Sequence, residues 1–260
     1  CGRVFCFFHL YNSFLRPYTS RLFAYFCFRK RLKISEKDME PDLSLRYNYA
    51  PPASRRADGT NPLLVMAHGY GADENDLFSM AGEFPAVFHV VAPRAPLDLP
   101  YGGAAWYSLD FQGNRMISNI PQAVAARERL AAFVAEAARK YGVAPHDVWL
   151  LGFSQGAILS YGILSRYPER ARYYLPLSGY IEPGIVGPEV APGDRSAIKV
   201  LAMHGTQDPV IPIEAGRRVQ DFLKRLGVDF RFHEFPIGHG ISREGMGCIR
   251  TWVEEGLKRK

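Results

Sequence analysis

Cysteine is scarce and unevenly placed. Cys1, Cys6 and Cys27 fall in the opening stretch, and Cys248 stands alone beyond them. A lone cysteine forms no internal bridge, so the body of the chain needs no oxidising compartment and offers no cysteine-rich metal site. Acidic residues are missing from positions 1–33, where Arg3, Arg16, Arg21, Arg29, Lys30, Arg31 and Lys33 carry more than the whole of the net charge: +6 for the chain becomes −1 without that stretch. A remainder so nearly neutral presents no basic face for nucleic acid. Long apolar runs are missing too. In the aromatic opening segment Arg16, Pro17 and Arg21 leave about a dozen uncharged residues where roughly 18 are needed to span a bilayer. Its charges are scattered and no small-residue cleavage site follows, which excludes a well-formed signal peptide. Internal repeats, low-complexity tracts and interdomain linkers are likewise absent.

What is present is the composition of a folded protein, 47% hydrophobic and 22% charged over 260 residues, enough for one large α/β domain and too little for two with a linker. We expect that domain over residues 39–260. Residues 1–38 are read as an extension outside it, translated from upstream of a start at Met39; the alternative is an amphipathic arm on a membrane surface. Short apolar runs then alternate with helical patterns, the signature of a mostly parallel sheet with helices on both faces. The expected strands are Leu43–Tyr49, Leu63–His68, Val87–Pro93, Val148–Phe153, Tyr173–Ser178, Lys199–His204 and Phe230–Phe235. A helix is expected from Pro121 to just before Gly142, with Leu130, Phe133, Val134, Ala137 and Tyr141 on its buried face. Others are expected over Ile213–Leu226 and Glu244–Lys258.

Chemistry concentrates where strand Val148–Phe153 meets the next helix. There Gly152-Phe153-Ser154-Gln155-Gly156 fits a nucleophile elbow: a turn so sharp that side chains flanking the serine would clash, hence a glycine on each side. A serine hydroxyl is a weak nucleophile at neutral pH and needs a base held by a third group. Strand Lys199–His204 runs into Gly205-Thr206-Gln207-Asp208-Pro209, and strand Phe230–Phe235 into Pro236-Ile237-Gly238-His239-Gly240. Both loops leave the carboxyl ends of strands, where α/β sheets gather reactive groups. Ser154 is therefore the candidate nucleophile, His239 the base and Asp208 the orienting acid. His233 lies within a strand, His146 and His89 precede the nucleophile, and His204 belongs to the strand end before Asp208.

The strand Leu63–His68 ends in His68-Gly69-Tyr70-Gly71-Ala72, which points to backbone N–H groups of Tyr70 and Gln155 as the oxyanion hole, with His68 bracing the turn. Glu74 stands where a dinucleotide fingerprint would need its third glycine.

These motifs, together with Ala92-Pro93-Arg94-Ala95-Pro96, Ala105-Trp106-Tyr107 and His204-Gly205-Thr206-Gln207-Asp208-Pro209-Val210-Ile211-Pro212, resemble the phospholipase/carboxylesterase family of the α/β-hydrolase superfamily, acyl-protein thioesterases included. The resemblance spans about residues 60–240. It implies an α/β-hydrolase fold and hydrolysis of carboxylic esters or thioesters through an acyl-enzyme, without cofactor or metal. It also implies an acyl pocket lined by Trp106, Val210 and Ile211. The stretch Tyr101–Tyr107 is similar to bacterial carboxylesterases more than to eukaryotic thioesterases. Only about twenty residues separate Tyr173–Ser178 from Lys199–His204, too few and too rich in Gly and Pro for a large helical lid, so short-chain esters are the expected substrates. Lysophospholipase or thioesterase activity, peptidase activity and a non-catalytic binding role are the alternatives. The expected partner is a small-molecule ester, in the cytoplasm, with no nucleic acid, no membrane contact by the first forty residues and room for a homodimer.

Overall fold

The computed structural model describes residues 43–112, 115–187 and 194–258. The extension read over 1–38 lies outside these residues, as does part of the 179–198 connection. In chain order the strands are β1 (Tyr47–Ala50), β2 (Leu63–Ala67), β3 (His89–Pro93), β4 (Leu97–Asp98), β5 (Ala104–Ala105), β6 (Leu109–Gln112), β7 (Arg115–Ser118), β8 (Val148–Phe153), β9 (Tyr173–Leu177), β10 (Lys199–Gly205) and β11 (Asp229–Phe235). The helices are α1 (Ile120–Lys140), α2 (Gln155–Arg166), α3 (Pro183–Val186), α4 (Ile213–Arg217), α5 (Val219–Leu226) and α6 (Arg243–Lys258), with 3-10 turns at Leu77–Glu83 and Pro145–Asp147.

Seven strands form the central sheet in the order β1-β3-β2-β8-β9-β10-β11. β1 is antiparallel to β3 and every other pair is parallel, so the loops leaving β2, β8, β9, β10 and β11 share one edge. All seven expected strands are found; the largest shift is at β1, which begins at Tyr47 rather than Leu43. The β4–β5 and β6–β7 ribbons were not expected, because two- and four-residue strands leave too short an alternation to read.

Side-chain alternation assigns the two faces. Leu63, Val65 and Ala67 of β2 and Val148 and Leu150 of β8 pack with α1 and α2. Leu64, Met66, Trp149, Leu151 and Phe153 point the other way, into a core shared with Leu77 and Phe78 of the first 3-10 turn and Ile249, Trp252 and Val253 of α6. Strands buried on both faces read as unbroken apolar runs, which is why β2 and β8 lack polar alternation. Each fully buried leucine contributes about 1.5–3 kcal/mol.

Helix α1 begins where its caps direct. Asn119 Oδ1 accepts from Gln122 N at 3.2 Å, Pro121 occupies the first turn, and Gly142 (φ +65°) follows the last. The single helix expected over Ile213–Leu226 is divided only at Arg218, whose φ −63° and ψ −16° remain helical. Between β9 and β10, α3 is no lid: Ile185 and Val186 are buried, Gly184 packs against Ile120, and the Arg127 guanidinium of α1 donates to the Ile185 carbonyl. Among the described residues no helix is long and apolar enough to cross a membrane.

Candidate active site

Ser154 stands between β8 and α2 with φ 53° and ψ −113°, a backbone conformation rarely adopted by residues with a side chain. Such a residue costs about 1–3 kcal/mol and persists only where its surroundings enforce it. Here Ser154 N–H donates to Leu177 O of β9 at 3.0 Å, and Ser154 O accepts the first α2 bond from Ile158 N at 3.0 Å. The flanking glycines are required by space. A Cβ on Gly152 would strike the Gly156 backbone, and one on Gly156 would strike Ala67 of β2.

The acid and the histidine are joined directly. Asp208 Oδ2 lies 2.6 Å from His239 Nδ1, while Oδ1 accepts from the N–H groups of Val210 at 2.8 Å and Ile211 at 2.9 Å. The Asp208 side chain has no exposed surface. Burial alone would raise its pKa; the His239 hydrogen bond and charge, with the Ile211 and Val210 N–H groups, outweigh it and hold the carboxyl below its ordinary value. The two loops are also tied through their backbones, Thr206 N to Phe235 O at 2.8 Å and Gln207 N to Ile237 O at 3.0 Å. The His239 ring rests on Phe153, centroids 4.9 Å apart, immediately before the serine. Among the described residues Ser154 Oγ makes no hydrogen bond; in free enzymes the serine–histidine contact is commonly long and tightens with substrate.

The oxyanion candidates lie along the same edge. Gln155 N–H belongs to the first turn of α2, which has no intrahelical acceptor. The Tyr70 N–H meets no backbone carbonyl among the described residues, although its neighbours are paired: Gly71 N donates to Ala104 O at 2.9 Å and Ala104 N to Ala72 O at 2.7 Å. His68 braces the turn from inside. Its Nδ1–H donates to Gly69 O at 2.7 Å, its Nε2 accepts from Ala95 N at 3.0 Å, and burial lowers its pKa, keeping the ring neutral.

Trp106 is 1% exposed, and its indole N–H donates to His68 O at 2.8 Å, so the ring backs the turn that follows β2. The indole N–H, once buried, must find an acceptor, and this one lies inward. Ile211 is buried and Val210 half-buried, both in the turn after Asp208.

Two contributors were missed in the sequence. The Gln155 side chain accepts from Trp106 N at 3.0 Å and donates to Tyr107 O at 2.8 Å, tying the elbow to the 104–107 segment. Glu74, 2% exposed, pairs with Arg46 at 2.7 Å and Arg94 at 2.9 Å below the oxyanion loop. A buried glutamate signals a partner, but residues 46 and 94 are too distant in sequence to nominate themselves. Of the other histidines, His89 bonds Tyr49 Oη at 3.0 Å, His146 is exposed and His233 lies in β11. Among the described residues no group of three or more His, Cys, Asp or Glu could hold a metal ion.

Comparison with known proteins places this geometry. A probable carboxylesterase of Oryza sativa subsp. japonica is 27% identical over 172 residues, 64% of this chain and 64% of that protein, so the match spans somewhat under two thirds of the relative's length. An acyl-protein thioesterase 1 of Candida albicans is 25% identical over 217 residues, 75% of this chain and 92% of its own. The crystal structure of esterase PE8 superposes with a TM-score of 0.69 at 30% identity, covering 82% of this chain and 99% of that one. The family model for phospholipase/carboxylesterase matches residues 53–256, taking in every candidate residue above, and the chain belongs to that family.

Proposed function

We propose that the protein is a serine carboxylesterase that cleaves short-chain carboxylic esters through an acyl-enzyme on Ser154. The observation that carries this reading is the 2.6 Å contact of Asp208 Oδ2 with His239 Nδ1, on the sheet edge where Ser154 occupies a strained elbow. Asp208 fixes the tautomer in which His239 Nε2 is free to take a proton. Ser154 Oγ attacks the acyl carbon as its proton passes to His239 Nε2, and the resulting oxyanion is held by the Tyr70 and Gln155 N–H groups. On collapse the C–O bond breaks, and the imidazolium returns the proton to the departing alcohol. Water then attacks the acyl-enzyme with His239 again as base, releasing the acid and restoring the serine. The reaction draws on protein groups and water alone.

The short-chain reading rests on α3, which is packed on α1 and α2 rather than raised over the site, and on Val210 and Ile211 as a short apolar wall beside Asp208. Likeness to the Candida thioesterase favours a second reading, thioester cleavage by the same groups. A panel of p-nitrophenyl acetate, butyrate, octanoate and palmitate, with matching thioesters and an anilide, separates these. We expect kcat/KM to peak at the short esters and to rise smoothly with concentration. A peak at palmitate, or activation at the solubility limit, would overturn the short-chain assignment; turnover of the anilide alone would indicate a peptidase, and none at all a binding protein.

A further inference from the structure

His204 lies one residue before the end of β10 and is 2% exposed. Its Nε2 is 2.9 Å from the Ile211 carbonyl oxygen and 3.4 Å from Asp208 Oδ2. A carbonyl oxygen only accepts, so this nitrogen carries a hydrogen. Gly216 of α4 closes over the opposite side of the ring, where a Cβ would lie 2.5 Å from Nδ1. The Nε2–H is thus turned toward the turn that contains Asp208.

An ionised carboxylate has about four acceptor sites. In Asp208 two are filled on Oδ1 by Val210 and Ile211 N–H, and one on Oδ2 by His239 Nδ1–H. His204 Nε2 lies 3.4 Å from Oδ2, which has one acceptor site remaining. We propose that His204 is a positioning residue for the hydrolysis proposed above: its Nε2–H bridges Ile211 O and Asp208 Oδ2, fixing the 208–211 turn and holding Oδ2 on His239. The inference rests on that functional reading for its kinetic consequences, but not for the proton placement.

Removing the donor leaves the carboxylate charge less satisfied and more available to the His239 imidazolium, so the neutral base would be reached only at higher pH. The charged groups around the pair are few. Glu234 of β11 acts on His204 electrostatically but is itself held in a two-pronged pair by Arg217 of α4, at 2.8 and 2.7 Å, with Glu214 close to the same arginine. Phe153, against the His239 ring, carries no charge. The two-pronged Arg217–Glu234 pair does not involve His204.

The test compares His204→Leu with His204→Gln in the full chain, following ester hydrolysis against pH. The leucine variant is expected to lower kcat about tenfold with KM nearly unchanged and to move the acid limb of kcat/KM upward by about half a pH unit. Glutamine, which retains an N–H donor, should restore most of both. An unshifted limb in the leucine variant overturns the proposal. Should that variant not fold, nitrogen chemical shifts of the wild-type ring decide: a neutral Nε2–H tautomer throughout the active pH range supports the proposal, and an Nδ1–H or doubly protonated ring overturns it. Ser154→Ala measured alongside separates the two readings. Its retained turnover would refute the hydrolase mechanism, while the tautomer result would still judge His204.

Discussion

The loop after β10 and the loop after β2 each draw an aspartate back from water, Asp208 buried and Asp76 half-buried, with opposite results. Asp208 is surrounded by donors, and its carboxyl is held below the ordinary value despite burial. Asp76, at the head of the 3-10 turn beyond the oxyanion loop, receives no capping hydrogen bond on its side chain, and burial, with the charge of Asp73, pushes its carboxyl up to about 7. Burial alone disfavours charge; donors decide whether the charge survives. The same contrast separates the two halves of the site. On the acid side one side chain must stay ionised, and hydrogen bonds converge on it. On the proposed oxyanion side the Tyr70 and Gln155 N–H groups would have to stay open for substrate, and rigidity comes from the surrounding frame: the Gly71–Ala104 backbone pairing, the Trp106 indole and the Gln155 amide.

The sharpest way to break this comparison is at the reacting atoms. Ser154→Ala should lower kcat about a millionfold. Asp208→Asn should fold normally yet lose about ten-thousandfold, because the amide leaves the histidine tautomer unfixed. If steady-state kinetics give the two variants equal losses, or a near-normal rate for the second, the acid side does not act through His239.

On the oxyanion side the expected losses are smaller and appear mainly in stability. Gln155→Ala keeps the backbone N–H but strands Trp106 N and Tyr107 O, so unfolding free energy should fall by about 2–4 kcal/mol and kcat by about tenfold. Denaturant midpoints read beside kcat test this; a large kcat loss with intact stability would give the amide a chemical rather than a framing role.

Asp76 provides the smallest effect and a definite sign. Its folded value of about 7 exceeds the ordinary 3.8, so across that interval the folded chain holds a proton that the unfolded chain has released. Its contribution to stability is therefore fully present below the lower value and is lost as pH rises through about 7. Asp76→Asn should flatten this slope and melt higher than the wild type above neutrality. Identical slopes in thermal unfolding would show that Asp76 does not titrate between the two states in this way.

Local sequence was enough for the elements and for the candidate residues. Unbroken apolar runs located β2 and β8, Pro121 and Gly142 bracketed α1, and Gly152 and Gly156 announced the elbow, because each signal lies within a few residues of the feature it specifies. What the sequence left open depends on groups far apart in the chain. Trp106 turns inward because His68 O is the acceptor within its reach, 38 residues earlier. Gln155 clamps a segment 48 and 49 residues before it, and Glu74 is neutralised by Arg46 and Arg94 from either side. His204 looked like a strand end until the 205–211 turn brought Asp208 and Ile211 back to its ring. Periodicity and turn chemistry act between neighbours, so the sequence itself set the framework and the identity of the candidate groups. Satisfying buried donors, acceptors and charges is a condition on the whole packed interior, so only the tertiary structure decided how those groups are held.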